Sequence, residues 1–150
     1  MSCDSTSFGC SGGYVSKALT FLSKNSTPSE ISYPYSSGAG TTGTCNATLA
    51  AAGIVKTLGY KAIANDASFY ANVMNALQSG PLVCQVRACN LWNYYAGGVL
   101  DDYKSACFGT TNHAILLTGY GMNDCGIPYW IVRNSWGTGW GVNGDVYFRR

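Results

Sequence analysis

The first apolar pattern along the chain has a helical period. Over residues 14–24, Val15, Ala18, Leu19 and Leu22 fall on one face, which predicts an amphipathic helix. Ser11 offers a side-chain acceptor at its start, and Asn25 with Pro28 closes it. Residues 32–46, rich in Ser, Gly, Thr, Tyr and Pro, have no period and read as an irregular loop. A strand is expected over 53–63. Asp66 then caps a second helix over 67–78, with Phe69, Val73, Ala76 and Leu77 on one face and Gly80-Pro81 as its terminator. Beyond it the pattern changes to strands, at 82–87, 113–120, 129–134 and 145–149. Helices first and strands afterwards make the chain α+β.

Two of these strands carry polar residues at matching ends. His113 opens one and Asn134 closes the next, with the turn-rich segment 121–128 between them. An antiparallel hairpin centred between Asn123 and Asp124 sets His113 opposite Asn134, with Cβ atoms about 4.5–5.5 Å apart. An Asn in that position accepts the ring N–H and fixes the imidazole tautomer, as the orienting member of a catalytic triad does. A structural histidine at a strand end fits the same pattern. The catalytic reading needs a nucleophile. Ser135 follows Asn134 but points to the other face of the sheet. The cysteines remain, and none stands in a visible activating context.

Composition narrows the classes. The 150 residues suit one domain. Nine Lys+Arg against seven Asp+Glu give a net charge of +2, too weak an imbalance for a nucleic-acid partner. No apolar run approaches the roughly 18 residues of a membrane span. Seven cysteines in a charge-poor chain point to an oxidising compartment, and the odd number leaves at least one without a partner inside the chain. Two sequons, Asn25-Ser26-Thr27 and Asn46-Ala47-Thr48, suit a secretory route. Yet the start, Met1-Ser2-Cys3-Asp4, has no signal-peptide pattern, which hints that the natural N-terminus lies elsewhere. No C-x-x-C pair occurs and the single histidine has no ligand-spaced partner, so neither a metal site nor a cofactor is expected.

Four motifs together resemble the papain-like cysteine proteases: Cys3-Asp4 followed by Gly9-Cys10-Ser11-Gly12-Gly13; Tyr95-Ala96-Gly97-Gly98-Val99; Asn112-His113-Ala114 with Gly119-Tyr120-Gly121; and Trp130 with Asn134-Ser135-Trp136-Gly137-Thr138-Gly139-Trp140-Gly141 and Asn143-Gly144. The last is the most specific, and the resemblance runs over nearly the whole chain. It implies a partial papain-like fold. Residues 1–50 would be the remainder of the helical left domain, and 51–150 most of the β-barrel-like right domain. It also implies a cysteine-type peptidase acting on a polypeptide substrate, or held by a peptide-like inhibitor, in a lysosomal, vacuolar or extracellular setting.

Residue by residue, the resemblance makes His113 the general base and Asn134 its orienting partner. Trp136 covers their hydrogen bond. Gly12 and Gly13 form a rim that pairs with extended substrate, the Asn112 carbonyl meets the substrate, and Gln85 lines a specificity pocket. Cys3 and Cys45 match a family disulfide. Cys10 and Cys107 match cysteines whose partners lie before Met1 and beyond Arg150. Cys84, in an apolar strand, reads as a buried thiol. Cys89 and Cys125 have no family counterpart, and a bond between them is left open. The chain departs from the family in one respect. The nucleophile belongs to a C-G-[SA]-C-[WY] segment roughly 130–150 residues before the histidine, and none of the seven cysteine contexts fits it. The expectation is therefore a truncated protease chain, inactive alone, whose partner is a missing N-terminal segment or another protein. The alternative is a non-catalytic homologue acting in binding or structure.

Overall fold

The computed structural model describes residues 2–101 and 107–150. The chain divides into two compact units, Met1–Ala62 and Ile63–Arg150.

The first unit holds a 3-10 turn at Gly9–Ser11, helix α1 at Val15–Lys24 and a short helix α2 at Ala47–Ala51. Ser11 does not cap α1. It lies in the 3-10 turn, its N–H donating to the Phe8 carbonyl at 3.0 Å, and the helix starts after Tyr14 without a side-chain cap. Asn25 closes α1 as expected, its backbone N–H and its Nδ2 both donating to the Phe21 carbonyl. α2 was not expected. It forms because the Asn46 Oδ1 accepts the Leu49 N–H at 3.0 Å, satisfying one of the orphan donors of a helix start. Cys3 and Cys45 are joined by a disulfide across 42 residues, Cα–Cα 4.7 Å.

The strand expected over 53–63 does not form. Alternation alone makes no strand without a neighbour to pair with, and this segment meets its neighbour at one bridge, Thr27 with Val55. Ile54, Leu58 and Tyr60 stay exposed. Gly53 lies so close to Ser26 that an added Cβ would overlap the serine side chain, so a glycine is required there.

The second unit is a helix on a sheet. Helix α3, Phe69–Leu77, starts two residues later than the pattern suggests, because Asp66 spends its side chain on the Ser68 N–H and forms a turn first. The strands are β1 (Leu82–Val86), β2 (Val99–Leu100), β3 (His113–Met122), β4 (Pro128–Arg133) and β5 (Asp145–Arg149), in the spatial order β1-β3-β4-β5-β2. Pairing is antiparallel except between β2 and β5. The two-residue β2 was not foreseen; a strand that short carries no readable period. Ile115 and Leu117 of β3, Val132 of β4 and Val146 and Phe148 of β5 point inward around Val73, Trp92 and Tyr95.

The hairpin register differs from the expected one. β3 runs on to Met122, which pairs with Pro128, and the turn tightens around the Asn123 side chain, which accepts the N–H groups of Cys125 and Ile127. A bulge between Leu117 and Gly119 shifts the pairing once more. His113 is paired with Val86 of β1, not with Asn134.

The cysteine assignment also needs correction. Cys107 is bonded to Cys89, Cα–Cα 5.6 Å, so neither a partner beyond Arg150 nor a Cys89–Cys125 bridge describes it. The pairing follows from placement: the Asn112 side chain and the β1–β3 ladder bring the chain on either side of these cysteines together. Cys84 and Cys125 are free thiols.

Candidate active site

β3 delivers His113 from its first residue, and Asn134 follows directly on the last residue of β4. Since Leu116 pairs with Arg133, continuing the register by one residue sets Asn134 beside Ile115. His113 is then its diagonal neighbour on the same face, within reach of an amide side chain. The two meet there: His113 Nε2 lies 2.9 Å from Asn134 Oδ1. The predicted contact forms, through a diagonal rather than a direct pairing.

The backbone settles which atom donates. Asn134 Oδ1 also receives the Ser135 N–H at 2.8 Å, a group that can only donate. The atom facing His113 is therefore an acceptor, and the ring nitrogen facing it must carry the hydrogen. The neutral imidazole then keeps its lone pair on Nδ1, which has no hydrogen-bond partner among the described residues. Asn134 is itself buried, 6% exposed, and its backbone N–H is held by the Gly144 carbonyl at 2.9 Å.

The loop after Asn134 is shaped by charge and by glycine. Arg133 bridges Asp145 at 2.6 Å and donates to the Asn143 carbonyl, tying the two ends of the loop. Gly141 has φ +58° and faces the Asp145 carbonyl so closely that a Cβ has no room. The Trp136 ring sits 6.0 Å from the His113 ring and stays 43% exposed.

Sequence reasoning missed the floor of the site. Trp92 is fully buried, and its ring lies 5.9 Å from His113, 5.8 Å from Trp136, 5.7 Å from Trp140 and 5.5 Å from Phe148. The Trp140 Nε1–H donates to the Trp92 carbonyl at 2.8 Å. Trp92 lies in a 3-10 turn, Asn90–Tyr94, which has no hydrophobic period to read. Tyr95 donates to the Gly98 carbonyl and receives the Tyr147 N–H, bracing the glycine turn against β5.

Asn112 holds the histidine strand by its side chain. Its Oδ1 accepts the Ala88 N–H at 2.8 Å and its Nδ2 donates to the Ala88 carbonyl at 3.1 Å, continuing the β1–β3 ladder past His113. Gln85 pairs with Ala114 and lies on the exposed side of β1. Beside Asn134 a shallow groove of about 320 Å³ crosses Val83, Ala114, Leu116 and Ser135. Gly12 and Gly13 belong to the first unit, where the Gly12 N–H closes the 3-10 turn on Gly9.

No thiol of the second unit is suited to attack from this site. Burial pushes the Cys84 thiol up to about 11, the reverse of an activated nucleophile. Cys89 and Cys107 are spent in their disulfide, and Cys125 lies in the turn at the far end of β3. No group of three or more potential metal-ligating residues occurs among the described residues.

The model of the family described as papain family cysteine protease matches residues 1–150. The chain belongs to the papain family. Fruit bromelain of Ananas comosus is 39% identical over 146 residues, covering 96% of this chain and 39% of that protein. Cathepsin B-like CP3 of Giardia intestinalis is 37% identical, covering 99% of this chain and 50% of its own length. Among solved structures, bromelain from Ananas comosus in complex with the E64 inhibitor superposes with a TM-score of 0.83 at 31% identity, over 99% of this chain and 65% of that one. Digestive procathepsin L 3 of Tenebrio molitor gives 0.82 at 29% identity, over 99% of this chain and 47% of that one. This papain-family chain thus has the α+β fold that its motifs imply, and spans about two fifths to two thirds of these relatives.

Proposed function

We propose that the chain carries the histidine and asparagine of a cysteine peptidase that hydrolyses peptide bonds by a Cys-His-Asn mechanism, with the nucleophile contributed from outside these 150 residues. The observation that supports this most is the His113–Asn134 bond with its polarity set by the Ser135 N–H. It leaves Nδ1 of His113 as the base. In this reading Nδ1 takes the thiol proton and the thiolate attacks the scissile carbonyl carbon. The imidazolium gives that proton to the leaving amine, and water then hydrolyses the thioester with His113 again as base. The reading assigns extended substrate to Gly12 and Gly13, a substrate contact to the Asn112 carbonyl, and the shielding of the His113–Asn134 bond to Trp136. The helical first unit is taken as the remainder of the left domain and the sheet unit as most of the right.

A polypeptide substrate or a peptide-like inhibitor is the proposed ligand, and E64 on the related bromelain supports that choice. The two disulfides suit a vacuolar, lysosomal or extracellular site. No helix of the described residues is long and apolar enough to cross a membrane. A second reading, a non-catalytic homologue that binds without cleaving, is favoured by the absence of the nucleophile motif from all seven cysteine contexts.

The test is peptide hydrolysis together with labelling by an epoxide inhibitor of the E64 type. The 150-residue chain alone should show neither. A protein that includes an in-frame upstream C-G-S-C-W-like segment should show both, and His113→Ala should abolish both. Labelling and turnover that persist in His113→Ala would overturn the mechanism. A verified in-frame stop upstream, with this start in use, would favour the non-catalytic reading.

A further inference from the structure

The two Asn-x-Thr sequons of the chain meet different fates in the fold. In Asn25-Ser26-Thr27 every residue is engaged. The Asn25 Nδ2 donates to the Phe21 carbonyl at 3.0 Å and finishes α1. Ser26 is wedged against Gly53. Thr27 gives its N–H to the Val55 carbonyl and accepts the N–H groups of Ile54 and Val55. This sequon is the junction between the end of α1 and the segment that follows α2.

Asn46-Ala47-Thr48 is the reverse case. All three residues are exposed, yet the attachment point is held firmly. The preceding Cys45 is disulfide-bonded to Cys3, and the Asn46 backbone N–H donates to the Tyr33 hydroxyl at 2.8 Å. The Asn46 Oδ1 is fixed by the Leu49 N–H at 3.0 Å. One end of the carboxamide is therefore anchored. Its Nδ2, and the Thr48 hydroxyl, have no hydrogen-bond partner among the described residues. A substituent on Nδ2 costs the fold no bond, because the atom that caps α2 is the oxygen.

We propose that Asn46 is an N-glycosylation site. The donor is an oligosaccharide carried on a lipid pyrophosphate. The bond between its anomeric carbon and the phosphate oxygen breaks, a bond from that carbon to Asn46 Nδ2 forms, one amide proton passes to a base of the transferase, and the lipid pyrophosphate leaves. The product amide keeps Oδ1 and one N–H, so the Leu49 cap survives. The proposal rests on passage through the compartment in which disulfides form, and is independent of the peptidase reading.

The experiment is expression of the full chain behind a secretory leader in a eukaryotic cell, read in whole-cell extract by electrophoretic mobility and peptide mass. The expected result is a single mobility shift, removed by peptide:N-glycosidase with conversion of Asn46 to Asp. Thr48→Ala should abolish the shift while leaving the Asn46 cap in place, and Thr27→Ala should leave it intact. Recovery of position 46 as unmodified Asn, or a shift that follows Thr27 instead of Thr48, overturns the proposal.

Discussion

Replacing Trp92 by alanine removes the floor on which His113 and Trp136 rest. A buried tryptophan hides about 150–250 Å², worth about 4–6 kcal/mol at about 25 cal/mol per Å². Alanine keeps a small part of that, and partial collapse of the surrounding rings recovers more, so a loss of about 4 kcal/mol is expected, within the usual range for Trp→Ala in a core. With a urea slope of about 2 kcal/mol per molar, the unfolding midpoint should fall by about 2 M, or the variant should already be unfolded without urea. Trp92→Phe keeps a ring against Trp140 and Phe148 and should lose about 1–2 kcal/mol. The assay is urea titration followed by far-UV circular dichroism, which reports backbone rather than the tryptophans themselves. A loss below about 1 kcal/mol in Trp92→Ala would refute the placement of Trp92 as a fully buried hub.

Other predictions concern the cysteines. Replacing Cys3 and Cys45 by serine together opens a loop of 42 residues, which in the chain-entropy account costs about 4 kcal/mol; an unchanged urea midpoint would contradict a formed disulfide. In the native chain at pH 8, a thiol-reactive dye should label exposed Cys125 and leave Cys84 unmodified until urea is added, as peptide mapping would read. Because burial raises the Cys84 thiol from 9.0 to about 11, the folded form holds its proton longer than the unfolded one. The stability this contributes is full below about 9 and is lost as pH rises through 11, so Cys84→Ala should flatten the fall in stability over that window.

The His113–Asn134 contact was legible because its residue types and spacing lie within a hairpin and a specific motif. The exact register was not, since one bulge after Leu117 and an Asn123-centred turn move every partner without changing the hydrophobic pattern. Local patterning read correctly where the strands had neighbours and failed over 53–63, where the segment forms a single isolated bridge, Val55 with Thr27. Trp92 was invisible for a related reason: a 3-10 turn has no amphipathic period, so its burial depends on Trp136, Trp140 and Phe148 arriving from distant parts of the chain. The Cys89–Cys107 pairing depends on how Asn112 clamps Ala88, a contact between side chain and backbone that spacing does not encode.

The central claim is that Asn134 holds the His113 ring with Nε2 protonated and Nδ1 bare. The chain has a single histidine, so its imidazole nitrogens give unique signals in a nitrogen-15 nuclear magnetic resonance spectrum. At a pH where the ring is neutral, the account predicts a protonated Nε2 and an unprotonated Nδ1, with the Nε2 proton exchanging slowly with water because Asn134 Oδ1 holds it, and exchanging faster in Asn134→Ala while the sheet stays folded. A proton on Nδ1 in the unmodified chain, or an Nε2 proton that exchanges just as slowly in Asn134→Ala, would contradict it.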